Sequence, residues 1–194
     1  MSLSLSMAAF ALASSLSPGP VNIVALGAGA QFGLGPAMRH VSGATLGFSL
    51  LLLLTGLGLS ELLMRWPWLT DMVRLAGVTF LLYMALRLAT ADGRLDGQRS
   101  LRPTLRHGAL MQWLNPKAWL ASIAGMGLFA AAGDAASVCR FAAIYGVICY
   151  ASLSCWAVAS ACLRRHLDTP GRLRLLNRSM ALLLVGCAGY LLLS

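Results

Sequence analysis

The sequence predicts an all-α integral membrane protein with six transmembrane helices arranged as two inverted three-helix repeats. Composition, the spacing of apolar runs and the sidedness of the basic residues carry that expectation. The chain has 194 residues, 58% of them hydrophobic and only 11% charged, with a mean hydropathy of +0.75. A soluble domain of this length could not hide so much apolar surface. Six runs are nearly free of charge: Leu3 to Leu16, Val41 to Leu63, Val73 to Leu88, Gly108 to Ala132, Phe141 to Leu163 and Ser179 to Leu193. Most approach the roughly 20 residues that cross about 30 Å of hydrocarbon. The first reaches that length by continuing to about Ala30, and the last by recruiting Leu173 to Asn177.

Met1 to Gln31 contains no Lys or Arg. A secretory signal needs a positively charged start, so "AFALASS" is expected to belong to a retained first span and not to a cleavage site. Inside that span stands "SPGPVN", residues 17 to 22. Proline lacks a backbone donor and clashes with the preceding turn, so Pro18 and Pro20 around Gly19 should break the helix. Hydrocarbon cannot satisfy the backbone groups released there. The break, with Asn22 just beyond it, must face protein, a ligand or a water-filled cavity.

In the second span, Gly43 and Gly47 of "SGATLGF" allow another helix to approach closely. Trp66 and Trp68, flanking Pro67 before the third span, read as an interfacial anchor. The fourth span is interrupted in turn by "QWLNPKAW", where Asn115 and Lys117 bracket Pro116. Eleven residues separate Arg106 from Lys117, which at about 1.5 Å each puts the lysine roughly 16 Å deep. A cation near the midplane is costly and reads as functional. A substrate carboxylate would suit both its ammonium and the amides of a broken helix end. Glu61 and Asp71 are the acids nearest the spans and are expected near the outer surface, so no coupling carboxylate is identified. His40 titrates in a useful range, but beside Arg39 it reads as interfacial.

The net charge of +9 is distributed by side. Connections one, three and five carry eleven arginines, and connections two and four carry three, Arg65, Arg74 and Arg140. That bias places the basic loops in the cytoplasm and both termini outside. No aromatic residues interleave the basic loops, so a nucleic-acid partner is not expected. Lipid is.

Three spans per half is an odd number, so a duplicated unit must lie upside down in its second copy. Residues 1–93 would form the first repeat and 103–194 the second. Pro18 pairs with Pro116, and Gly43 and Gly47 with Ala142 and Gly146 at nearly the same offset. Interrupted helices at corresponding positions of two halves point to the binding site of a secondary transporter. The substrate-binding candidates are therefore Pro18, Gly19, Pro20, Asn22, Asn115, Pro116 and Lys117.

The stretch "SPGPVNIVALGAGAQFGLGPAMRHVSGATLGF" resembles the opening of the LysE/RhtB family of amino-acid exporters, and "GALMQWLNPKAWL" resembles that family's fourth span. The similarity runs from end to end and is strongest to the branch exporting cysteine and O-acetylserine. Val21 departs from it, standing where that branch often has a second Asn and many relatives an acidic residue. The resemblance implies export of a small amino acid or derivative from a bacterial cytoplasm across the inner membrane, driven by proton antiport and with no cofactor. A homo-oligomer is left open.

Two other classes compete. An intramembrane thiol carrier could use the five cysteines, but these all fall between Cys139 and Cys187, with no C-x-x-C, and an attacking and a resolving thiol must meet. They read instead as small packing residues. A non-transporting helical scaffold would explain "SGATLGF" and leave Lys117 unexplained. Three scattered histidines and no intramembrane carboxylate give no expected metal site, no phosphate-binding loop supports nucleotide-driven pumping, and an enzyme is not expected.

Overall fold

Proline and glycine set the ends of the helices more than apolar periodicity does. The computed structural model describes residues 2–59, 65–90, 103–130, 134–163 and 169–193. Glu61, Arg94, Arg99, Arg102, Arg164 and Arg165, on which part of the charge argument rests, lie outside the described residues. The described chain is helical, with α1 at Leu3–Leu16, α2 at Pro20–Phe32, α3 at Leu34–Leu54, α4 at Pro67–Ala89, α5 at Leu105–Trp113, α6 at Pro116–Phe129, α7 at Ala135–Leu163 and α8 at Pro170–Leu193. Four of these begin on a proline, where a missing N–H costs no intrahelical bond and the fixed φ is already helical.

Gly33 alone joins α2 to α3, at φ 81° and ψ −177°. A side chain would be strained in that region, so the one-residue reversal depends on glycine. At the far end of α3 a wider turn, Thr55–Leu59, closes on Gly58 at φ 118°. The second apolar run was expected to begin at Val41, yet α3 starts at Leu34. Pro36 falls in its first turn, where proline is tolerated. Apolarity marks the stretch suited to lipid, and the helix extends past it.

Among the described residues two helical stretches, Leu34–Gly58 and Ala135–Ala161, are long and apolar enough to cross a membrane unbroken. A third crossing is formed if α1 and α2, bent by 60° at their junction, count as one span.

Helix α3 is central, packed on α5 and α7, while α7 also receives α1 and α2, and α4 pairs with α8. The expected close approach at Gly43 and Gly47 is present. A Cβ on Gly43 would run into the Leu105 carbonyl, and one on Gly47 would lie 2.8 Å from the Ala109 Cα. The partner is α5, and Gly108 answers from that side against the His40 carbonyl. Where α2 meets α7, a Cβ on Gly29 would strike the Ser160 hydroxyl. Phe10, Phe129, Phe141 and Tyr145 cluster between α1, α6 and α7, with ring centroids 5.1 to 6.3 Å apart. Trp66 and Trp68 are exposed, as an interfacial anchor would be.

Candidate functional site

Both breaks form at proline, and in both the released carbonyls find side-chain donors. At the first, α1 stops at Leu16 and Pro18 is exposed, while Gly19 is extended and buried and Pro20 starts α2. The Asn22 amide donates back to the Ser15 carbonyl at 2.9 Å. At the second, Asn115 caps α6, its side-chain oxygen accepting from the Lys117 N–H at 3.1 Å, and Pro116 follows. The Asn115 amide donates to Gln112 Oε1 at 3.2 Å, and the Trp119 indole donates to the Trp113 carbonyl at 2.7 Å. The chain thereby meets hydrocarbon's demand for paired backbone groups from within.

One bond joins the two breaks. Lys117 Nζ, from the second, donates to the Ser17 carbonyl of the first at 2.6 Å. Gly19 makes room for it. Its φ of −161° is ordinary extended backbone, so space and not conformation demands glycine; a Cβ there would lie 3.1 Å from Lys117 Cδ and 3.2 Å from Nζ.

Asn22, Asn115 and Lys117 line one cavity of about 30 Å³, together with Gln112, Tyr145 and Cys149. Of the other four candidates, Gly19 backs the lysine and Pro20 and Pro116 begin helices beside the cavity, while Pro18 is exposed and takes no part in its lining. Carbonyls freed around Pro18 to Pro20 would suit a substrate's amino group. Ser15 and Ser17 carbonyls are instead already taken, by Asn22 and Lys117.

Gln112, Tyr145 and Cys149 are among the lining residues that the sequence reading missed. Gln112 had a signal, being a buried amide one turn before Asn115. Tyr145 and Cys149 had none, since each sits in an apolar run and reaches the site only through the crossing of α7. Cys149 was read as a small packing residue, and its thiol faces the hydroxyls of Ser15 and Thr45. Among the described residues no group of three or more His, Cys, Asp and Glu could hold a metal ion.

Space for water is about 10–15 Å³ per molecule by this measure, so the cavity admits water and not an amino acid. Among the described residues its lining has one ammonium and no carboxylate. An anionic group small enough to share Lys117 with the amides of Asn22, Asn115 and Gln112 is the chemical match.

Helices broken around a polar, lysine-bearing cavity in a membrane-spanning chain define a helical translocator. The chain belongs to the LysE family, whose description, LysE type translocator, matches residues 12–194. It is 28% identical over 182 residues to proteins named cysteine/O-acetylserine efflux protein from Escherichia coli (strain K12), Shigella flexneri and Shigella sonnei, covering 92% of this chain and 92% of each relative. No solved structure matches it.

Proposed function

We propose that this protein is a secondary transporter of the bacterial inner membrane that exports cysteine, O-acetylserine or a similarly small amino acid by proton antiport. The Lys117 ammonium, held between two helix breaks on the Ser17 carbonyl, carries the reading. A substrate carboxylate is a stronger acceptor for an ammonium than a neutral carbonyl. It would draw Lys117 off Ser17, and the released carbonyl would then be free for the substrate's amino group.

The six-span arrangement is part of the same proposal: α1 with α2, α3 and α4 form one unit, and α5 with α6, α7 and α8 its inverted copy. The packing supports it, because α3 lies on α5 as α7 lies on α1. With both termini outside, the α2–α7 contact lies toward the cytoplasm. Its tightness and the small cavity describe a closed form, and rocking of one unit against the other would admit substrate from the cytoplasm.

Inside-out proteoliposomes given labelled cysteine, O-acetylserine and a panel of other amino acids test the reading. Saturable uptake that rises when the lumen is acid is expected. Its complete absence across the panel would overturn it.

A further inference from the structure

We propose that His40 and His107 form a site for one shared proton, whose occupancy is linked to the packing of α3 on α5. Their ring centroids are 5.9 Å apart. His40 is fully buried, and neither of its ring nitrogens has a hydrogen-bond partner among the described residues. The Val21 backbone faces the ring without reaching bonding geometry. A neutral imidazole offers one donor and one acceptor, and buried polar groups rarely go unpaired without a functional reason.

The surroundings specify the occupant. From α5 the group facing His40 is His107, and from α4 the ring beside His107 is Phe80, at a centroid distance of 5.9 Å. Helix α2 carries no titratable side chain. Arg39, Arg87 and Arg106, on α3, α4 and α5, are exposed. Among the described helices the one acidic residue is Asp71, exposed near the start of α4, at the opposite end of that helix from Arg87. Among the described residues no carboxylate is there to hold two protons on the pair, and two imidazolium rings at this separation repel. One proton, passed between buried His40 and half-buried His107, is the occupancy the pair allows.

The link to packing follows from position. The pair sits in the seam where Gly108 meets the His40 carbonyl and Gly43 the Leu105 carbonyl. A positive charge in that dry contact needs water, which enters only if α3 and α5 part. Binding free energies are reciprocal, so whatever parts the helices also favours the proton. Trp113 reports on the same seam, because its indole N–H donates to the Gly47 carbonyl at 3.0 Å.

This site would supply the ionisable group of the antiport reading, but its test needs no substrate, so its failure would leave export standing. Protein with ring-¹⁵N histidine and indole-¹⁵N tryptophan, carrying His166→Gln so that two imidazoles remain, is titrated in lipid nanodiscs between about pH 8 and pH 5. The His40 and His107 signals should move together with the amplitude of one proton for the pair, and the Trp113 indole signal should follow them. In His107→Gln, or in His40→Gln should the first variant fold poorly, the remaining ring should take a whole proton alone. Independent titration of two protons, no protonation of either ring in that range, or a Trp113 signal indifferent to the titration would each overturn the proposal.

Discussion

Helices α2 and α6 begin alike and end up in different surroundings. Each starts on a proline after a break, and they run 13 and 14 residues. Ten residues of α2 are buried against four of α6. The cause is composition: α2 is "PVNIVALGAGAQF", whose Gly27 and Gly29 let it sink onto α8 and α7, while α6 points Leu120, Ile123 and Leu128 outward at 64%, 45% and 68% exposure. If the two are symmetry mates, the difference describes one state of an alternating device. One arm is seated, and the other is more exposed and tied to the first break through its lysine.

The largest effect should come from cutting that tie. Lys117→Met keeps the apolar stem and removes the charge, and the protein should insert and fold while export is abolished. A hydrogen bond to a charged group contributes about 1.5–3 kcal/mol, enough for roughly a 10- to 100-fold loss of affinity for a carboxylate. Normal export by the variant, measured in proteoliposomes, would make Lys117 a structural residue. Gly19→Leu should mimic it more weakly, by crowding the same side chain.

Next in size is a paired comparison of glycines. A side chain at Gly29 meets the Ser160 hydroxyl and the Ala157 carbonyl, whereas one at Gly127 of α6 meets nothing within 4 Å. Gly29→Leu should destabilise the protein by about 1–3 kcal/mol or more through overpacking, and Gly127→Leu should leave its thermal transition in detergent unmoved. Equal shifts would erase the distinction between the arms.

Smaller still is the polar contact at the end of α2, where Gln31 Nε2 donates to Asn177 Oδ1 at 2.8 Å. Polar contacts between membrane helices contribute about 0.6 kcal/mol on average. Asn177→Leu should therefore weaken the seat modestly and raise the accessibility of a cysteine placed at the buried position of Ala28. Unchanged labelling would mean that glycine packing alone closes that end.

The smallest effect is at the amino-terminal end of α7. The Asp134 carboxylate accepts from the Ala136 and Ser137 N–H groups at 3.1 and 3.0 Å. Hydrogen bonds from the Ser137 side chain and backbone hold its carboxyl below the usual range. A depressed carboxyl pKa stabilises the fold above the unfolded value, and that contribution disappears as pH falls through the folded one. Asp134→Ala should lower hydrogen-exchange protection over residues 135–138 at neutral pH and leave the wild-type and variant alike in strong acid. A difference that persists in acid would show that the carboxylate is not the cap.

The two breaks were legible because proline has a local mechanism. Pro20 and Pro116 stop one helix and start another wherever they stand, and Lys117 announces itself by its cost in hydrocarbon. What the side chains at the breaks bond to was not legible. Lys117 meets a carbonyl a hundred positions away, and Tyr145 and Cys149 enter the cavity through a helix crossing that no local pattern encodes. His40 was noticed as titratable, but its partner could not be, since His107 becomes its neighbour only where Gly43 and Gly108 bring α3 and α5 into contact. Gly47 shows the intermediate case, its spacing predicting a close approach without saying to which helix.

The bond from Lys117 to Ser17 also bears on how the protein is made. The ribosome delivers Ser17 first and the lysine a hundred residues later, which at about 5–20 residues per second is a wait of roughly 5–20 s. Throughout that interval the Ser17 carbonyl has no lysine, and hydrocarbon offers it nothing. The amino-terminal segment is therefore expected to wait where water or the insertion machinery can reach its break until the fourth run arrives. Residues 1–93 expressed alone should be unstable and should recover on co-expression with 103–194, so that the two halves mature as one nascent unit and not in turn.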